Sequence, residues 1–328
     1  MARLPFTWPR LLKALVSLCL LAYVVWLVDW HQVAALWRDG RLYQLWPGPL
    51  LLTLGLWVAA ARWRLMLAAQ GVEISHRQAL TLYWRATFFG VFLPGVIGGD
   101  VVRAVLCQRA TGANPAVIAF GIAAERLAGM WCLAAIGTIG VLLLPDALKS
   151  AFSVSLIGLT PAMALLIPLL VWAALCGRHV LAKLTRPLWV ATLSAAVVRM
   201  MDSLARVPAG VFSKVLVAGL VFQFSEILVF ALFGHILGLT VPWHVWMFVV
   251  PLVYLATVLP VSVGGLGVRE GALVWLLAQA GVVSASAALL ALLIYLNRVV
   301  TASVGAVLDG TDERLTLKPP PLFDQLDK

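Results

Sequence analysis

The sequence predicts an all-α fold, a polytopic membrane helix bundle with about six full spans and two re-entrant broken segments that form an inverted repeat. Three observations carry this expectation. Only 12% of the 328 residues are charged and 62% are hydrophobic, whereas soluble domains carry about 25% charged residues and need polar cover. The apolar residues come in blocks, among them Leu11–Val28, Leu50–Ala60, Ala116–Leu144, Ala162–Leu175, Val215–Leu237 and Ala285–Leu308. A span needs roughly 20 mostly apolar residues. Finally, the basic residues behind the net charge of +10 fall mainly between the blocks. That is the positive-inside pattern, not the single polybasic face of a nucleic-acid binder.

The elements follow in chain order. Arg3, Arg10 and Lys13 precede a first helix over 11–28. This resembles a signal peptide, but no small-x-small cleavage site follows, so an uncleaved helix is expected. An external loop with Arg38 and Arg41 leads to a second helix over 46–67 that ends on Arg62 and Arg64. A basic segment with Arg77 and Arg85 precedes Ala86–Gly99, which is too short to cross and contains Pro94, Gly95, Gly98 and Gly99. Helices over 115–144 and 151–175 cross outward and back. Within 177–214, Leu188, Leu193, Val197, Met201 and Leu204 recur at roughly helical spacing among basic residues, as in an amphipathic interfacial helix. A crossing over 215–237 follows. After it come an apolar piece broken at Pro260–Gly265, a short helix to about 281 and a last span over 284–308. The whole reads as one membrane domain over 1–310, with repeat motifs near 86–144 and 250–308, and a polar disordered tail over 311–328.

Charge and aromatic placement orient this topology. Of the 24 Lys and Arg residues, 17 fall on the cytoplasmic side, Arg38, Arg41 and Lys149 outside, and four in the membrane interior. Both termini are then cytoplasmic, in a multi-pass protein of the cell's inner (plasma) membrane. Trp30, Trp37, Trp46, Trp243 and Trp246 lie near outer span ends, as an aromatic belt does. The cysteines Cys19, Cys107, Cys132 and Cys176 form no CxxC pair and read as small apolar residues. Neither a structural metal nor a cofactor is expected.

The two broken segments match. Leu93 to Arg103 aligns without gaps to Leu259 to Arg269, sharing L-P-x3-G-G-x2-V-R. Each copy is followed by a glycine (Gly112, Gly281) and by a helix with an arginine expected to be buried, Arg126 or Arg298. Three crossings separate the copies, so one enters from each face. Inverted repeats with broken helices at the midplane typify transporters, and Pro94, Gly98, Gly99, Pro260, Gly264, Gly265 and Gly267 are the candidate hinge positions. The alternative is that these breaks merely kink two spans.

Eight ionisable residues fall within spans or broken segments: Asp100, Arg103, Glu125, Arg126, Glu226, Arg269, Glu270 and Arg298. Each would cost roughly 2.5–3.5 kcal/mol or more facing lipid, so they are expected to pair. Pairing alone would make a structural network. Arg103 and Arg269, however, stand just beyond Gly-Gly breaks that begin half-helices, whose N-termini favour anions. A guanidinium there suits a phosphate. Glu125 and Glu226 are expected in the bundle interior within reach of embedded arginines. Gln223 and Asn297 add polar surface to the same helices.

At these segments the chain resembles the flippase-like membrane domain family. That family includes the membrane domain of bacterial lysyl-phosphatidylglycerol synthetases and related uncharacterised inner-membrane proteins. Phe89–Arg109 with the Glu125-Arg126 helix, and Val258–Val283 with the Asn297-Arg298 helix, carry the resemblance. It implies translocation of an amphiphilic lipid between leaflets. The soluble synthetase domain has no counterpart in this sequence, so aminoacyl-lipid synthesis is not expected. Other relatives are associated with glycolipid or hopanoid pathways, so headgroup identity does not carry over.

The leading expectation is therefore a non-enzymatic, flippase-like protein that moves a phosphate-bearing amphiphilic lipid or lipid-linked intermediate. The partners expected are membrane lipids and lipid-biosynthetic enzymes, not nucleic acid. Two alternatives stay open: an intramembrane transferase acting on lipid headgroups, with Asp100 or Glu125 as base, and a non-transporting scaffold. No catalytic nucleophile paired with a base is visible.

Overall fold

A computed structural model describes residues 8–92, 98–181, 198, 201–258 and 265–311. Pro94, Pro260 and Gly264, most of the expected interfacial helix (182–197, 199 and 200) and the tail from 312 lie outside the described residues. The chain is 85% helical without strands among the described residues. The helices are α1 (Trp8–Leu27), α2 (Trp30–Arg38), a 3-10 turn (Arg41–Leu45), α3 (Pro47–Ala68), α4 (His76–Phe92), α5 (Gly98–Thr111), α6 (Pro115–Leu143), α7 (Asp146–Lys149), α8 (Val154–Leu181), α9 (Ala209–Ile236), α10 (Trp243–Ala256), α11 (Val268–Gln279) and α12 (Ser284–Thr311). Among the described residues, five helices are long and apolar enough to cross a membrane, or up to six spans if α1 and α2, bent by 61° at their junction, count as one. The fold is an all-α polytopic bundle, as expected.

Two segments read as loops are helical. The outer loop with Arg38 and Arg41 is α2 plus the 3-10 turn. The Asp29 carboxylate accepts the His31 N–H at 2.9 Å, filling one of the open amides at the start of α2. The basic segment with Arg77 and Arg85 lies within α4. There Ser75 and Gln78 close a capping box, with Ser75 N–H donating to Gln78 Oε1 at 2.9 Å and Gln78 N–H to Ser75 Oγ at 3.2 Å. The sequence carries that signal as Ser-x-x-Gln.

The matched segments differ in local structure. Gly98 and Gly99 form the first turn of α5 rather than a break. A Cβ on Gly99 would lie 2.6 Å from the Ala86 carbonyl oxygen, so this glycine lets α4 and α5 pack backbone to backbone. In the second copy, Gly265 and Gly267 have φ of +80° and +79°, and α11 starts only at Val268. The position of Gly267 aligns with Val101, and valine does not adopt positive φ.

Close helix contacts run through glycines, as in lipid, where packing rather than hydrophobic exclusion holds helices together. A Cβ on Gly140 of α6 would stand 2.7 Å from the Met247 carbonyl carbon and the Phe248 nitrogen of α10. The main core, with Phe230, Phe233, Phe248, Leu273 and Leu290, fills the space between α9, α10, α11 and α12. By contrast, only 6% of the apolar stretch of α8 is buried. Trp246 is not in the belt; it is buried against Gly234, whereas Trp30, Trp37, Trp46 and Trp243 are exposed. Cys107 and Cys132 are buried, Cys19 and Cys176 exposed, and all are free.

Two arginines assigned to the cytoplasmic side are buried within the protein. Arg62 and Arg85 are 4% and 0% exposed. Helix α3 runs on to Ala68, which leaves Arg62 well inside it. Arg85 Nη2 donates to the Leu308 carbonyl at 2.6 Å, capping the last turns of α12.

Candidate functional site

A cavity of about 370 Å³ opens between α3, α4, α5, α6, α9, α11 and α12. Such a volume falls in the range of small-molecule sites. Its wall is charged. Arg103, Arg126, Arg269 and Arg298 line it with Asp100 and Glu226, an excess of two positive charges. Tyr83, Thr87, Thr257, Tyr295 and Thr301 add hydroxyls. Six of the expected ionisable residues thus share one space. Glu125 and Glu270 stand behind it, each 1% exposed.

Helices α4, α5 and α6 build one flank. Glu125 projects from α6, and its Oε1 accepts from Arg62 Nη2 at 2.9 Å and from the Tyr83 hydroxyl at 2.6 Å. Its Oε2 lies 2.9 Å from Arg103 Nη1. That contact is an ion pair without hydrogen-bond alignment, since Oε2 has no hydrogen-bond partner among the described residues. The Arg103 guanidinium lies in the corner formed by the rings of Trp63 and Tyr83, which meet edge to face, 4.7 and 4.4 Å from their centroids, a contact that favours a buried cation. Asp100, one turn before Arg103, accepts from it at 3.2 Å and also pairs with Arg126. Asp100 therefore bridges α5 to α6.

The opposite flank comes from α9, α10, α11 and α12. Glu226 of α9 accepts from the Tyr254 hydroxyl of α10. That hydroxyl in turn accepts from Arg298 Nη2 of α12 at 2.9 Å, while Arg298 and Glu226 stand 3.6 Å apart. Glu270 accepts from Arg269 Nε at 3.0 Å and from its Nη2 at 2.5 Å. The same carboxylate accepts the Gly267 N–H at 2.7 Å, so it caps α11 and neutralises Arg269 together.

The arginines divide differently from expectation. Arg103 and Arg269, read as the phosphate ligands, have side chains only 3% and 10% exposed and are each held by carboxylates. Arg126 and Arg298, expected to be buried, are 44% and 33% exposed at the cavity. The cause is position along the helix. Arg126 and Arg298 sit on long spans facing the cavity, whereas Arg269 sits in the first turn and Arg103 in the second turn of a short helix, each beside an acidic neighbour. Gln223 donates to the Gly129 carbonyl at 3.3 Å, away from the cavity. Asn297 is buried beside Gly48, and its amide has no partner among the described residues.

Besides the wall hydroxyls, Arg62, Trp63, Tyr83 and Tyr254 of the site were not singled out from the sequence. Trp63 and Tyr83 gave no charge signal. Arg62 sits one helix turn and a half before the end of α3, and only the length of that helix marks it as internal.

In comparisons with known proteins, the family model described as the lysylphosphatidylglycerol synthase TM region matches residues 10–305. That range contains every residue lining the cavity. No curated protein matches the chain.

Proposed function

The chain belongs to the lysylphosphatidylglycerol synthase transmembrane-region family, and from that premise we propose that it moves a phosphate-bearing amphiphilic lipid, or a lipid-linked intermediate, between leaflets. The observation that carries this reading is the charged cavity within a membrane bundle, with an excess of two positive charges on its wall. A phosphate crossing the bilayer must shed water, and guanidiniums replace hydration through paired N–H bonds. Arg126 and Arg298, the most exposed of the four, are the first to meet it. Arg103 and Arg269 stand deeper. The two matched segments would enter from opposite faces, and rocking one half against the other would give alternating access. On this reading the protein lies in the inner membrane with both termini cytoplasmic. It transfers no group to the lipid, and membrane lipids are its partners.

Reconstitution into liposomes tests the reading. With fluorescent phosphatidylglycerol in both leaflets, the purified protein raises the fraction that an impermeant quencher reaches, without changing the mass of the lipid. Arg126→Ala and Arg298→Ala each slow this about tenfold or more, the loss expected for one charged hydrogen-bonding partner. A product of altered mass points instead to a transferase. Quenching equal to that of protein-free liposomes defeats the reading.

A further inference from the structure

We propose that Arg62 is a positioning residue, a reserve counter-ion that takes over Glu125 when an anionic headgroup claims Arg103. The inference rests on the phosphate reading of the cavity and adds a residue that does not line it.

The difficulty it resolves is visible in the geometry. Arg103 lines the cavity, yet it is already neutralised by Glu125 and Asp100. A phosphate that displaced Glu125 would leave a carboxylate with 2% side-chain exposure without its partner, and a stranded buried charge is strongly unfavourable. Arg62 removes that penalty. Its Nη2 already holds Glu125 Oε1 at 2.9 Å. Its Nε and Nη1 are buried and have no hydrogen-bond partner among the described residues. The other oxygen, Oε2, faces Arg103 at 2.9 Å out of hydrogen-bond alignment. A shift of the Glu125 side-chain torsions, which moves both oxygens, carries Oε2 from Arg103 to one of the vacant N–H groups while Oε1 stays within reach of Arg62. This completes a two-point fork on Arg62, the arrangement that guanidinium and carboxylate favour. In the empty cavity the Tyr83 hydroxyl also bonds Oε1, at 2.6 Å. In the empty cavity, Glu125 neutralises Arg103. With an anion bound, Arg62 neutralises Glu125.

The test is a double-mutant cycle between Arg62 and Glu125, read as affinity of the purified full chain in micelles. The probes are dihexanoyl phosphatidic acid and inorganic phosphate, measured separately by calorimetry. With Glu125 present, Arg62→Met and Arg62→Lys are each expected to weaken binding about tenfold or more, because neither offers the fork. In a Glu125→Gln background the same substitutions change affinity less than about twofold, since no carboxylate needs a new partner. Arg62→Lys keeps the charge, so it carries the comparison if Arg62→Met does not melt cooperatively. Binding of the lipid probe with this pattern supports the exchange for a lipid headgroup, and binding of phosphate alone with the same pattern supports it for a free anion. Equal losses in both backgrounds, or wild-type affinity in Arg62→Lys, overturn the exchange but leave the cavity's anion reading standing. A wild-type protein that binds neither probe overturns both.

Discussion

Replacing Tyr254 with phenylalanine removes one oxygen and keeps the ring, so the outcome isolates a hydroxyl. That hydroxyl donates to Glu226 and accepts from Arg298, and it is the sole hydrogen-bond donor to Glu226 among the described residues. Interhelical hydrogen bonds in membranes are worth about 0.6 kcal/mol on average and up to about 1.7. Bonds to charged groups belong at the upper end, so losing both costs about 3 kcal/mol. Arg298 Nη2 lies 3.6 Å from Glu226 Oε2 and needs to move less than about 1 Å to bond directly, which recovers one bond. The net loss is about 2 kcal/mol. Tyr83→Phe is the matched control. It also removes a tyrosine hydroxyl from a buried carboxylate that keeps Arg62 at 2.9 Å, so one bond to a charged group is lost and none is recovered, about 1.7 kcal/mol. Reversible unfolding in mixed micelles of a mild detergent and dodecyl sulfate measures both. A loss below about 0.6 kcal/mol for Tyr254→Phe, the worth of one average interhelical bond, would mean that Tyr254 is not the bridge that holds Glu226 to Arg298.

Two further outcomes follow from the packing and the topology. Gly140→Ala places a methyl 2.7 Å from the backbone of α10 and should cost about 1–3 kcal/mol as overpacking. Gly158→Ala, with nothing within 4 Å, should leave stability unchanged or raise it by a few tenths; equal melting shifts for the two would refute the close contact. Single cysteines at positions 76 and 243 should label with an impermeant maleimide from opposite sides of the membrane, and labelling from one side alone would exclude the inverted repeat.

The long spans were legible because lipid demands a run of apolar residues of fixed length. The stretches 46–67 and 115–144 are α3 and α6 to within a residue at each end. Helix α4 was missed because His76, Arg77, Gln78 and Arg85 broke its apolar run, and the cue lay in the Ser75–Gln78 cap instead. The charges of the site were legible as a set, since six of eight meet at one cavity. Their pairing was not. Whether Glu125 meets Arg62 or Arg126 depends on which helix packs beside α6, and a linear sequence holds no record of that. The burial of Arg62 and Arg85 was not legible for a related reason: an arginine near a span end can mark orientation and also cap or neutralise a distant helix.

Helix α8 has 28 residues, about 42 Å at 1.5 Å per residue, against a hydrocarbon thickness of about 30 Å. Little of it is buried; it packs along α6, and its attachments to the bundle include one hydrogen bond from Trp131 to the Ala164 carbonyl at 3.1 Å. A helix longer than its bilayer tilts. Of the five spans, α8 is therefore the freest to follow membrane thickness, while those around the cavity, 39–50% buried, are held by their packing. In a thin membrane α8 lies further over and in a thick one it stands up, so this outer strut absorbs the mismatch between protein and bilayer and isolates the charged interior from it.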